Sequence, residues 1–295
     1  MPRIDGVTEQ ATTRFRLDIA YEGTHFNGWA RQPGQRTVQG ELESALATIF
    51  RRFGAPPVLT VAGRTDAGVH AAGQVAHLDL DDAQVAALLK PRGNHIPTDA
   101  GVALARRING ILGPVPDVVI ASAAIAPAGF DARFSAIWRR YEYRIADGVA
   151  RRDPLQRHRT AWVPVTLDGA AMDAAALSLL GLHDFGSYCK PREGATTIRT
   201  LQSFGWRRDD VGVLVGSVRA DAFCHSMVRA LVGACVAVGE GKLDPADPVR
   251  LRDAQERTSA FAVMPARGLT LIEVGYPDDV GLAIRALQTR ALREL

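Results

Sequence analysis

The apolar residues of this chain switch between two periods, and each switch marks a change from strand to helix. Phe15 to Tyr21 alternates as a half-buried strand does, and Glu22-Gly23-Thr24 turns it. From Thr37 the residues Val38, Leu42, Leu46, Ile49 and Phe53 recur at helical spacing, with Gly54 as the stop. Residues 57–61 predict a short buried strand and residues 74–80 another. Helical stretches follow at 83–89 and 101–111, then a strand at 118–125. Gly113-Pro114-Val115-Pro116 makes a stiff break, the candidate linker.

Past the break the theme repeats loosely. Residues 138–145 predict a strand with Tyr141, Tyr143 and Ile145 on one face, and residues 162–165 a second. Asp168 caps a helix running to Leu180. A hairpin of 201–207 and 211–219 turns around Asp209-Asp210. Residues 223–238 give the most strongly apolar helix of this second unit, and 269–276 a closing strand. Beyond Pro277, Val280, Ile284, Leu287 and Ala291 share helical spacing, so the tail is expected to dock on the body. The order is that of a mixed α+β protein.

Composition narrows the class. At 295 residues, 47% hydrophobic and 23% charged, the chain can form one large domain or two ordinary ones. No apolar run approaches the length of a bilayer span. Met1-Pro2-Arg3-Ile4-Asp5-Gly6 has no signal-peptide core, so a cytoplasmic location without membrane association is expected. Residues 1–13 read as a flexible N-terminal arm. Cys189, Cys224 and Cys235 are odd in number and lack CxxC spacing, which suggests neither a disulfide framework nor a zinc site.

The net charge of +3 is modest, yet only Lys90, Lys190 and Lys242 among the 35 basic residues are lysines. Arginine binds phosphate bidentately and stacks on bases, although GC-rich coding yields the same bias. Placement therefore matters more than count. Arg151-Arg152 followed by Arg157-His158-Arg159 is a basic cluster suited to a phosphate backbone, a solvated loop being the plain alternative.

The segment of densest chemistry is Ala62-Gly63-Arg64-Thr65-Asp66-Ala67-Gly68-Val69-His70. A loop needed only to turn the chain gains nothing from Arg and His held together there. A carboxylate between two glycines, with cations nearby, can be held ionised while backbone approaches a ligand closely. A structural ion pair would serve as well. Tyr21 to Trp29 is a Gly-punctuated turn with three aromatics and His25. Such turns stack bases or simply plug a core. His183-Asp184 reads as a tie between loop and helix end.

Phe223-Cys224-His225-Ser226-Met227-Val228-Arg229 opens the apolar helix, which puts Arg229 one turn beyond His225 on a shared face. A guanidinium there is costly to bury without a carboxylate. Asp66 is the evident partner from the other half of the chain, and the pairing favours its ionised form. No GxxxxGK[ST] loop, Gly-x-Ser-x-Gly elbow or metal-ligand cluster is present, which leaves cofactor-free carboxylate chemistry.

Seven blocks in order carry a resemblance to a known family. They are Tyr21-Glu22-Gly23-Thr24 with Gly28-Trp29; Arg36-Thr37-Val38-Gln39; Gly63 to His70; Ala132-Arg133-Phe134-Ser135-Ala136 with Arg140-Tyr141; His183-Asp184-Phe185; Met227-Val228-Arg229 with Val232-Gly233; and Pro265-Ala266-Arg267-Gly268-Leu269. With them the chain resembles the TruA family of tRNA pseudouridine synthases, from about Phe15 to Tyr276. Glu22, Ala30, Tyr188 and Cys224 depart from the family's usual residues, none of them in its catalytic set.

The resemblance implies isomerisation of uridine to pseudouridine in the anticodon stem-loop of tRNA, at the sites conventionally numbered about 38 to 40, on a base taken out of its stack. It implies the α+β pseudouridine synthase fold: two ferredoxin-like (RRM-like) halves around a mainly antiparallel mixed sheet, with the active cleft between them. The halves would span 14–114 and 115–276, followed by a helical tail at 277–295. By the same resemblance Asp66 is the catalytic aspartate, Tyr141 stacks against the target base, and Arg229 pairs with Asp66. Arg64 helps displace the base and contacts the backbone. His70, Arg133, Arg140, Arg151 and Arg152 complete the expected substrate-binding set. A homodimer is implied, with one tRNA touching both subunits and neither metal nor organic cofactor. Two rivals stay open at this point: an RNA-binding protein without catalysis, and a relative acting on another RNA site.

Overall fold

Alternation at the start of the chain becomes β1 (Thr12–Tyr21), whose Phe15, Leu17 and Ile19 lie fully buried on one face. This is seen in a computed structural model that describes residues 12–91, 96–114, 116–190, 194, 196–256 and 259–290. Thr12 and Thr13 already pair with Asp81 and Leu80, so the strand takes in the last two residues of the expected arm. Residues 1–11, Val115 and Ala291 lie outside the described residues.

The first half continues with α1 (Val38–Ile49), β2 (Thr60–Val61), β3 (His70–Asp81), α2 (Asp82–Leu89), α3 (Ala100–Leu112) and β4 (Val118–Ile125). The second holds β5 (Trp138–Ala146), β6 (Ala161–Trp162), α4 (Gly169–Ser178), β7 (Gly181–Asp184), β8 (Ile198–Arg208), β9 (Leu214–Ala220), α5 (Met227–Gly239), α6 (Asp247–Ala254), β10 (Leu269–Gly275) and α7 (Gly281–Arg290). Helix starts follow capping chemistry. Thr37, Asp99 and Asp168 each accept a backbone N–H at a helix N-terminus, and Asp81 with Gln84 closes a reciprocal box.

A single mixed sheet runs through both halves in the order β4-β1-β3-β10-β5-β9-β8-β7, with β2 on β3 and β6 on β5. Its pairings are antiparallel except β10 with β3 and β5 with β6. The seam is β10, which pairs parallel with β3 through Thr270–His70 and Leu271–Ala71 and antiparallel with β5 through Leu271–Tyr141. Residues Ala71, Leu271 and Tyr141 thus line up across three strands, just past the end of the Gly63–His70 loop. Helix α3 packs on β4 and α1 on α3, while α4 packs on β8 and α5. Buried residues from both halves merge into one apolar core.

Several sequence expectations shift. Strand β4, expected to open the second half, pairs with β1 from Phe15–Ile125 to Tyr21–Val118, so the Gly113–Pro116 break falls inside the first half. The strands expected at 57–61 and 162–165 shrink to two residues each beside their prolines. Helix α1 ends at Ile49, short of Phe53. Helix α7 docks through Leu282 and Ala286, with Val280, Ile284 and Leu287 exposed, so its buried face is not the one expected. Ser135 Oγ donates to the Leu282 carbonyl, and Arg290 meets Asp131 at 3.1 Å. Cys189 and Cys224 form a disulfide with Cα atoms 5.7 Å apart, a pairing their spacing of 35 residues does not announce.

Candidate active site

The loop from Gly63 to His70 is held by backbone from the Tyr21–Trp29 turn. Trp29 N–H donates to the Thr65 carbonyl at 3.1 Å, and Gly68 N–H to the Phe26 carbonyl at 3.2 Å. The Tyr21 hydroxyl and Thr65 Oγ1 are 2.8 Å apart, and Gln74 Nε2 donates to the Gly63 carbonyl at 2.9 Å. Burial pushes the Tyr21 hydroxyl up to about 12, so it stays protonated as a buttress for Thr65. Gly23 is required by proximity: a Cβ there would sit 2.1 Å from the Val69 carbonyl oxygen. Tyr21, Phe26 and Trp29 are all buried, so the aromatics of this turn help fill the core.

Asp66 stands part-exposed on that loop, opposite the start of α5. Arg229 Nη1 lies 3.7 Å from Asp66 Oδ2, and Ser226 Oγ lies 3.4 Å from the same oxygen. The other oxygen, Oδ1, faces His225 Nε2 at 3.4 Å. Arg229 is itself anchored by donation from Nε to the Met264 carbonyl at 2.6 Å. The structure thus brings Asp66 and Arg229 together, though not by the helical route expected. Helix α5 begins at Met227, because Ser226 adopts a left-handed conformation (φ 64°) that no regular turn continues. His225 therefore precedes the helix and approaches Asp66 from its own loop.

Tyr141 is buried on β5, edge-on to Phe223 with ring centroids 5.2 Å apart. Burial drives its hydroxyl far above the ordinary tyrosine value; Tyr21 and Asp66 nearby push the same way, and Arg139 opposes them. Arg139 donates to three carbonyls: Asp221 at 2.7 Å, Ala62 at 2.8 Å and Arg133 at 3.1 Å. Sequence reasoning assigned no part to Arg139 or Ser226. Arg139 carried one signal, a cation two residues before Tyr141 on a predicted strand.

The remaining candidates scatter by environment. Arg64 is exposed on the same loop as Asp66. Arg133 is exposed, its guanidinium 5.1 Å from the Phe134 ring. Arg140 is engaged by Glu273 at 3.0 Å and Glu142 at 3.7 Å. Arg151 and Arg152 are exposed, and Arg152 stacks 3.7 Å over Trp162. His70 is not open to solvent. It is 4% exposed, its Nδ1 accepts Gly23 N–H at 3.0 Å, and its Nε2 lies 3.1 Å from the Arg267 carbonyl. Its role is to pin the loop to the turn and to the segment before β10. The basic 157–159 stretch passes close by, since the His158 backbone and the Arg159 charge both act on His70. His183 bonds the Leu180 carbonyl, and Asp184 accepts from Gly186 and Thr197, which ties that segment locally. Among the described residues no three His, Cys, Asp or Glu side chains converge as a metal would require.

The site is thus an ion-paired carboxylate on a glycine-flanked loop, with a buried tyrosine at the sheet seam. A family model described as tRNA pseudouridine synthase matches residues 175–277. The chain is 73% identical to a tRNA pseudouridine synthase A of Leifsonia xyli over 98% of its own length and all of the relative's. It is 54% identical to the protein of that name in Frankia casuarinae, over 95% of each chain, and 47% identical to that of Mycobacterium leprae, over 99% of each. The chain belongs to the tRNA pseudouridine synthase A family, a family of tRNA uridine isomerases.

Proposed function

We propose that this chain isomerises uridine to pseudouridine in the anticodon stem-loop of tRNA, at about positions 38 to 40, on a base flipped from its stack. The observation that carries the reading is the carboxylate of Asp66, part-exposed and 3.7 Å from Arg229, beside Tyr141 where the two halves of the sheet join. The N1–C1′ bond must break, the uracil must turn, and C5 must bond to C1′. Asp66 starts this sequence as nucleophile at C1′ or C6, or as base at C2′, with the Arg229 guanidinium 3.7 Å from its Oδ2. Tyr141 holds the detached uracil by stacking while it turns. Arg64, Arg133, Arg151 and Arg152 supply exposed cations for the phosphate backbone. The enzyme works as a cytoplasmic homodimer without metal or organic cofactor. No described helix is long and apolar enough to cross a membrane.

The test is Asp66→Ala and Asp66→Asn, assayed for pseudouridine in tRNA transcripts. Both are expected to abolish turnover while tRNA binding survives. Near wild-type turnover by Asp66→Ala overturns the assignment. Carbodiimide mapping of total RNA from cells with and without the protein is expected to lose signal at the anticodon stem-loop; loss at another RNA site instead overturns the substrate.

A further inference from the structure

The two oxygens of the Asp66 carboxylate have different neighbours. Oδ2 is shared by Arg229 and Ser226, whereas the one neighbour of Oδ1 among the described ion pairs is His225, 3.4 Å away. A carboxylate held at one oxygen can still rotate about its Cβ–Cγ bond. Contacts on both oxygens fix the plane and with it the lone pair presented to substrate. Catalytic rates depend on such fixing, because small misplacements of a reacting group are costly.

The backbone around His225 is constrained on every side. Lys190 N–H donates to the His225 carbonyl at 3.0 Å, and Met227 N–H to the Cys224 carbonyl at 3.1 Å. The Cys189–Cys224 disulfide ties the preceding residue to the same neighbouring loop. Phe223 is wedged against Tyr141. Ser226, which follows, sits in the left-handed region (φ 64°) that residues other than glycine rarely enter. A turn needed only to start a helix has no use for that conformation. Here it carries Ser226 Oγ toward one oxygen of Asp66 while His225 reaches the other. The imidazole is about half exposed, which a residue packed for stability would not be.

We propose that His225 is a positioning residue: it donates from Nε2 to Asp66 Oδ1 and locks the orientation of the carboxylate against the ribose. The proposal rests on Asp66 being the reactive group. At 3.4 Å the contact is an approach that substrate binding shortens, as happens to catalytic hydrogen bonds that are long in unliganded sites.

Single-turnover release of tritium from tRNA carrying [5-³H]uridine, with tRNA affinity measured in parallel, tests it. His225→Ala is expected to slow the single-turnover rate about tenfold, the factor for losing one charge-assisted hydrogen bond. Affinity for tRNA should stay within about twofold of wild type. Added imidazole should restore the rate of His225→Ala in a saturable manner. Should the alanine variant unfold, His225→Gln and His225→Leu carry the test, being of similar volume but only the former an N–H donor. Gln is expected near wild type and Leu as slow as Ala. A rate for Leu or Ala within about twofold of wild type, or a defect confined to tRNA affinity, overturns the proposal. Asp66→Asn measured alongside separates the two readings. If it is active, the assignment of Asp66 fails; if it is inactive while His225→Leu is unimpaired, only the role of His225 fails.

Discussion

Arg139, a strand residue of the second half, donates from Nη2 to the carbonyl of Ala62, the residue that leads into the Asp66 loop of the first. The same guanidinium holds Asp221 at the end of β9 and Arg133 before β5. One side chain therefore sets the distance between three segments around the site. Replacing it by methionine keeps the bulk and removes the donors to all three carbonyls. Arg139→Met should cost about 2–4 kcal/mol of stability, the scale for stranding part-buried polar groups. Arg139→Lys should recover only part of this, since an ammonium lacks the planar fork. Urea unfolding followed by circular dichroism measures both.

Tyr141 allows stacking and proton transfer to be separated. Its hydroxyl is held protonated by burial, so at neutral pH it can donate but not accept a proton as a phenolate. Tyr141→Phe keeps the ring against Phe223 and should leave tRNA affinity unchanged. If the hydroxyl serves as an acid, turnover should fall about a hundredfold, the usual share of general acid catalysis. Tyr141→Ala should abolish turnover. Tritium release reads all three proteins, and an unimpaired Phe variant removes the hydroxyl from the mechanism.

Stability should decline with acid through two buried histidines. His70 Nδ1 accepts Gly23 N–H and His77 Nδ1 accepts Ala132 N–H, each at 3.0 Å, so both rings are neutral in the native state. Burial holds both below the ordinary imidazole value. Glu22, 3.1 Å from His70, pulls the other way without prevailing, and Arg14 adds to the lowering at His77. The unfolded chain takes up these protons near pH 6.5, roughly, before the native state does. Their contribution is therefore complete above that pH and is lost as pH falls toward the native values. Denaturant midpoints between about pH 7 and pH 5 should drop for wild type. They should drop less for the double variant His70→Asn with His77→Asn, whose amide oxygens keep the acceptors without the charge.

The basic loop offers a salt-dependence test. Arg152 lies on Trp162 and Arg151 beside it is exposed, away from the Asp66 carboxylate's contacts. Arg151→Ala and Arg152→Ala should each weaken tRNA binding and lower the slope of log affinity against log salt by about 1. The single-turnover rate at saturating tRNA should not change. Filter binding across a salt series gives the slope.

The features legible in the sequence were those with local causes. Capping residues, the 209–213 hairpin and the apolar alternation of β1 and β5 each state their structure within a few residues. The Gly63–His70 loop announced itself by residue types that turns do not need. What stayed hidden depends on partners far along the chain. Nothing local in β4 says that it pairs back to β1, nor does anything in β10 say that it joins β3 in parallel. The left-handed Ser226 carries no glycine to mark it, so the helix was expected to begin four residues early. In α7 two apolar stripes compete, and Leu282 with Ala286 wins because the small Ala283 beside them lets the helix lie close against Gly129.

The position of β10 in the sheet also sets a timetable. The strand that joins the halves leaves the ribosome long after Asp66, and after Tyr141 and Arg229. Until it arrives, β3 and β5 have an open edge each and no shared neighbour. A nascent chain can thus assemble its parts in order, domain-like unit by unit. The sheet that carries Tyr141 and adjoins the Asp66 loop becomes continuous across the two halves only once β10 has been made.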